Sequence, residues 1–286
     1  MDAPRSGKRP WTFYLLAAFF TLFVLFLYGP MSIIYILSFQ GPNGGLTFPM
    51  DGVSLHWFYA LLSQQRTGDI AGSFVRSLAL AAIVVAVTVV FSVMAGLGFR
   101  RRFAGSGAIF YMAIASLIIP GLLVGLGIGL TFQLFGWTAD WYSSALAAQL
   151  TWTLPYGMLI MFAVFGRFNK SYEEAARDLG ATDWQRLRYV MIPIVFPGII
   201  GVSLFAFTLS YDEFPRTLLT AGSRNTLPLE IWSMTTNVTS PALYAVGTMT
   251  TVVSFITIGI ALGSIALIER RRVRGTGGGG AGYLEH

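Results

Sequence analysis

Asp212 and Glu213, adjacent carboxylates in "SYDEFPR", stand at the far end of a long apolar run and are the first residues here that invite chemistry. Counting ~1.5 Å per helical residue from Val195 puts them ~25 Å along that run. Carboxylates at such depth are costly and are usually kept for function. Two readings stand. One acid pairs with Arg216 or serves backbone groups freed by Pro215; or the two acids, with Tyr211, form an acidic element that guides a cationic solute. One run earlier, Gln149, Thr151, Trp152, Thr153 and Tyr156 bring hydrogen-bonding groups and π faces into apolar sequence. These side chains bond helix to helix or line a path between helices. In "PGLLVGLGIG", Gly121, Gly125 and Gly129 recur every four residues, a spacing that lets helices approach closely. They serve that packing, or they line the same path, with Pro120 loosening the helix.

Several chemistries are disfavoured or excluded. No Ser/His or paired-Asp constellation falls at mid-membrane depth, which argues against an intramembrane hydrolase. The phosphate-binding pattern G-x-x-x-x-G-K-[ST] is absent, and the glycine run "GTGGGGAG" lacks its Lys, so the chain does not hold ATP in that manner. With 0 Cys there is no disulfide framework and no thiolate metal site. His56, beside Trp57 and Tyr59, is a single imidazole in a loop and reads as surface or lid structure rather than a metal ligand. The terminal "LEH", with His286, is set aside as a remnant of cloning.

A different kind of site lies in "SYEEAARDLGATDWQRLRYVMIP", residues 171–193. It is too polar to span a bilayer. Ser171 and Glu174 form the S-x-x-E pattern of a capping box, and Thr182 with Gln185 repeats it. A first helix sets Tyr172, Ala175, Ala176 and Leu179 on one face, with Glu173, Glu174, Arg177 and Asp178 turned away. Gly180 stands where a glycine in the left-handed region closes a helix. A second short helix is expected to carry Trp184, Leu187 and Met191 in a stripe, and Pro193 to end the segment. Helices this short are marginal alone, so their apolar faces need a surface. Lipid headgroups, the chain itself or a partner protein are the choices.

The elements around these sites are membrane helices. The chain has 286 residues, 55% hydrophobic and 11% charged, against roughly 25% charged in soluble domains; its mean hydropathy is +0.65. Six stretches, near 12–39, 74–99, 107–135, 145–166, 196–214 and 246–268, are long and apolar enough to cross ~30 Å of hydrocarbon. Backbone in lipid must satisfy itself, so each is read as helical. The first run follows Arg5, Lys8 and Arg9 but is too long for a cleaved signal and is read as a retained anchor. Trp11, Trp57, Trp137 and Trp141 fall near expected interfaces. The pI near 9.7 does not indicate nucleic acid, because the basic residues cluster beside apolar runs, as topology determinants do. With the N-terminus in the cytoplasm, 15 of the 19 Lys and Arg fall inside, leaving Arg66, Arg76, Arg216 and Arg224 outside. Both termini are therefore expected to be cytoplasmic. The expected architecture is all-α: one transmembrane domain over 1–286, with a terminus at 1–11, the bundle at 12–268, the polar loop at 167–193 and a tail at 269–286.

The polar loop resembles the EAA loop of ABC-importer permeases, E-A-A-x3-G-x9-I-x-L-P. Glu174-Ala175-Ala176 and Gly180 match it in type and spacing, and Val190-Met191-Ile192-Pro193 matches its end with volume-similar changes. "SFVRSLALA" and "AFTLSYDEF…LPLEIWSM" are similar to the spermidine/putrescine-type permeases. The resemblance covers most of the chain and implies a MetI-like core within six spans, in a bacterial inner membrane. It implies that Tyr172, Glu173, Glu174, Ala175, Ala176, Arg177, Asp178, Leu179 and Gly180 couple to an ATPase. It further implies partners: a second, homologous permease, two ATP-binding cassette subunits that hold the ATP and Mg, an extracytoplasmic solute-binding protein, and membrane lipid. No cofactor is expected on this chain. Tyr211, Asp212, Glu213, Gln149, Trp152 and Tyr156 are the candidate solute path; the resemblance implies a polyamine as first candidate cargo, with another small amine, an amino-acid derivative or an organophosphonate as the alternatives. A secondary transporter is the rival reading; the lack of ionisable residues at mid-span and of a visible internal repeat counts against it.

Overall fold

The computed structural model describes residues 10–62, 69–101, 103–237 and 240–276. Arg5, Lys8, Arg9, Arg66 and Arg102, the glycine-rich tail and His286 lie outside them. Among the described residues there is no strand beyond two isolated β-bridges, Gln40 with Val53 and Asp140 with Gly222. Five helices are long and apolar enough to cross a membrane, and a bent pair makes a sixth passage if it is one span.

The chain divides into two compact units, Met1–Thr67 with Met234–Thr251, and Gly68–Ser233 with Val252–His286. In the first unit, α1 (Trp11–Leu37) leads to a short α2 (His56–Leu62). Between them, buried Gln40 fixes the loop: its Nε2 donates to Gly45 O at 3.0 Å, and its Oε1 accepts from Asp51 N at 2.9 Å. His56 begins α2 with its ring edge against Trp57, and Trp57 Nε1 donates to Gly41 O. Nearly the whole of α1 is exposed, Phe26 at 82%.

The second unit is built on α3 (Ile70–Phe99), α6 (Ser144–Gly166) and α9 (Ile192–Tyr211). In lipid, apolar side chains gain little by leaving their surroundings, so close packing must come from small residues. The buried face of α3 shows this: Ser73, Ser77, Ala81, Val84, Thr88, Ser92 and Gly96 follow one another at three- and four-residue steps. Thr88 donates to Thr153 of α6 at 3.1 Å. Met161, Phe165, Met191, Val195 and Val202 form a buried cluster between α6 and α9.

The third apolar run is not the single rod expected over 107–135. It is α4 (Ser106–Ile118) and α5 (Gly121–Leu134), bent by 103°. Pro120 disfavours helical backbone in the residue before it, and Ile119 is extended, with φ −69° and ψ 129°. The outer loop after α9 also gains a helix, α10 (Leu227–Asn237), and the last span is α11 (Ala242–Thr276).

Candidate functional site: the capped elbow and the outer end of the fifth span

The elbow is α7 (Ser171–Asp178), a corner at Gly180, and a helix that starts at α8 (Asp183–Gln185). One expected cap needs correction. The Ser171–Glu174 capping box does not form, because Lys170 is already helical (φ −63°, ψ −24°) and Ser171 therefore stands one place too far in. Asn169 Oδ1 accepts from Ser171 N at 3.0 Å instead. Pro193 stands where the polar segment gives way to the fifth span. A π-helical turn over Arg186–Met191 joins α8 to α9, so the second arm of the elbow and the fifth span form one continuous helix over Asp183–Tyr211. Pro193 lies just after the π segment, inside this continuous helix.

The rest of the elbow follows its local chemistry. Thr182 and Gln185 form the reciprocal capping box, with Thr182 N donating to Gln185 Oε1 at 2.8 Å. Gly180 has φ +82°. Its N–H donates to Arg177 O, and Ala181 N donates to Ala176 O at 3.0 Å. Together these are a Schellman closure that serves two helix-end carbonyls. The apolar face of α7 is bare: Tyr172 is 56% exposed and Leu179 90%. Of the expected second stripe, Met191 is buried, Leu187 packs beside the α6–α9 cluster, and Trp184 is exposed. Glu174, Ala175, Arg177 and Asp178 are exposed.

Glu173 does not face away with the other charges. Its Oε2 accepts from Arg100 Nη2 at 2.6 Å, and Arg186 lies 3.8 Å from Oε1. Arg186 also pairs with Asp183. Arg100 stands 5.0 Å from the Phe168 ring centroid and donates to Met191 Sδ at 3.7 Å. One guanidinium thus ties the end of α3 to the α6–α7 link, to α7 and to the π turn. In the sequence, Arg100 is only one member of a basic triplet.

At the far end of α9, Glu213 is buried with Arg216: Arg216 N donates to Glu213 Oε1 at 2.8 Å, and the guanidinium lies 3.6 Å from Oε2. Asp212 beside it is exposed. Arg216 covers the Trp152 ring at 4.2 Å, and Trp152, Tyr156 and Phe205 continue edge to face. Tyr211 is buried and stacks on Phe207. Gln149 is buried and bridges elements, donating to Thr217 Oγ1 at 3.1 Å and accepting from Ser210 Oγ. The glycines of α5 receive the segment after α9: a Cβ on Gly125 would stand 2.6 Å from Arg216 O, and one on Gly129 2.9 Å from Leu219 O. Near the start of α3, Arg76 binds Asp69 at 2.7 Å and Asn225 O at 2.8 Å, while Glu230 Oε1 accepts from Asp69 N. The hydrogen bond from Arg76 holds the Asp69 carboxyl below its ordinary value.

The described residues thus form a helical membrane bundle with a capped polar elbow between two of its spans. Residues 88–274 match the family described as "Binding-protein-dependent transport system inner membrane component", and the chain belongs to it. It is 30% identical over 275 residues to the putrescine transport system permease protein PotI of Escherichia coli K12, across 93% of this chain and 95% of that protein. It is 27% identical over 266 residues to the spermidine/putrescine transport system permease protein PotC of Shigella flexneri, across 92% and 97%. Among solved structures, it shares its fold with a chain of a bacterial ABC transporter involved in import of the acidic polysaccharide alginate. The TM-score is 0.66, at 17% identity, covering 92% of this chain and 99% of that one.

Proposed function

We propose that this permease is one of two transmembrane subunits of an ATP-driven importer, and that α7 with its Gly180 corner seats in a groove of an ATP-hydrolysing partner. The observation that carries the reading is the bare apolar face of α7: a rigidly closed, amphipathic helix exposes Tyr172 and Leu179 instead of packing them. Two ATPase subunits hold the ATP and Mg, a second permease completes the path, and an extracytoplasmic binding protein delivers the solute. The elbow and both termini lie in the cytoplasm, on the side favoured by the Lys and Arg distribution. When the ATPases close, the elbow moves, and the continuous Asp183–Tyr211 helix carries that motion across the membrane.

The cargo is a short aliphatic polyamine, by the names of the relatives above. On this chain the exposed Asp212 supplies the free carboxylate, since Glu213 is occupied by Arg216. Tyr156 supplies a π face of the kind that attracts ammonium groups, while the Trp152 ring is already covered by Arg216. Gln149 joins α6 to Ser210 and Thr217, and Tyr211 is buried against Phe207.

Expression of the whole operon with a tag on this chain tests the docking. The ATPase should co-purify with the unaltered chain. With Leu179→Glu its retention should fall about tenfold or more, the ~1.5–3 kcal/mol of one buried leucine, and uptake should be lost. Full retention by Leu179→Glu would remove α7 as the docking element.

A further inference from the structure

A cavity of ≈ 470 Å³ opens where α3 and α6 end and α4 begins, beside the elbow. Its walls are the rings of Phe99, Phe110, Phe162, Phe165 and Phe168, and its cations are Arg100 and Lys170. The volume lies within the ~300–1,000 Å³ of ligand pockets. We propose that this cavity holds an anionic phospholipid from the leaflet on the elbow side, its phosphate on Lys170 and its acyl chain along the phenyl rings.

The chemistry of the walls selects such an occupant. Five phenyl rings with no acid among them suit a hydrocarbon chain, and cations at the same opening suit a phosphate. Lys170 is exposed and has no ion pair among the described residues. Arg101 and Arg167, nearby in sequence on the ends of α3 and α6, are exposed as well. Basic pockets between membrane helices at the headgroup level are where anionic lipids are held. Arg100 is already engaged by Glu173, so a phosphate close to it competes with that carboxylate. The lipid therefore bears on the tie between α3 and α7, and its binding tunes how firmly the elbow is held.

Nanodiscs carrying the assembled transporter in phosphatidylcholine, doped with a photoactivatable phosphatidylglycerol whose probe sits on the acyl chain, test this directly. Mass spectrometry should find the label on peptides containing Phe110 and Phe162. Lys170→Gln should lower that labelling about fivefold, the loss of one cation at a lipid surface. Phe110→Trp, which fills the cavity from α4, should lower it similarly. Equal labelling by a phosphatidylcholine probe, no effect of Lys170→Gln, or displacement of the probe by inorganic phosphate alone would overturn the proposal, the last because the site then takes a free anion. Association with the ATPase, followed in the same discs, reports separately on the docking of α7.

Discussion

Arg100 shows how a residue that serves membrane topology also comes to serve a site. Its positive charge at the end of α3 fits the distribution of basic residues, yet its guanidinium spends that charge on Glu173 and on the face of Phe168. Both partners are partly buried, so the pair lies between exposed bridges, worth 0–1 kcal/mol, and buried ones, whose breaking is costlier. The elbow should therefore lose about 1–2 kcal/mol of anchorage when either member is neutralised. A double-mutant cycle of Arg100→Met and Glu173→Gln, read as thermal unfolding of the detergent-solubilised protein, should show that coupling. Additive single effects would mean that the two side chains do not support one another. Sequence reading missed this pair because its members are 73 positions apart and Arg100 is one of three arginines with the same local pattern. The pairing of Glu213 with Arg216, three residues on, was among the readings the spacing offered, and it separates the two acids: one is occupied and one is exposed.

At the scale of elements, the elbow was legible wherever its chemistry is local. Gly180 and the Thr182–Gln185 box depend on neighbours within five residues, and both stand as the pattern required. The failed Ser171 box was also local, but its outcome turned on whether Lys170 entered the helix, which the side-chain pattern leaves open. The π turn has no sequence signature, and it is what makes elbow and fifth span one lever rather than two pieces. Pro120 announced an interruption in the third run, while the 103° bend depends on how α5 presents its glycines to the Arg216–Leu219 backbone. The lever makes Gly180 a test of coupling. A β-branched residue there is strained by about 1–2 kcal/mol or more, since left-handed backbone brings its Cβ against the carbonyl. In proteoliposomes, Gly180→Val should leave ATP hydrolysis running while uptake drops, the two losing their fixed ratio. An unchanged ratio would show that the corner transmits motion without its left-handed turn.

At the scale of the whole molecule, apolar length sets depth and basic charge sets direction. The long exposed faces of α1 and α11 need hydrocarbon or a second permease around them. Direction comes from Lys and Arg alone, 15 of which fall on the side assigned to the elbow. That assignment decides everything mechanical: only on the cytoplasmic side can α7 meet a nucleotide-driven partner, and only on the opposite side can Asp212 meet an arriving solute. The chain has 0 Cys, so single cysteines report on it without background. Ala104→Cys, between α3 and α4, and Asn43→Cys and Ser223→Cys, in the long loops of the other side, are all at exposed positions. In intact cells a membrane-impermeant maleimide should label Asn43→Cys and Ser223→Cys, and should reach Ala104→Cys only after the membrane is opened. The reverse pattern would place the elbow outside the cytoplasm, where no ATPase can drive it, and the bare face of α7 would then have to be covered by something other than a motor.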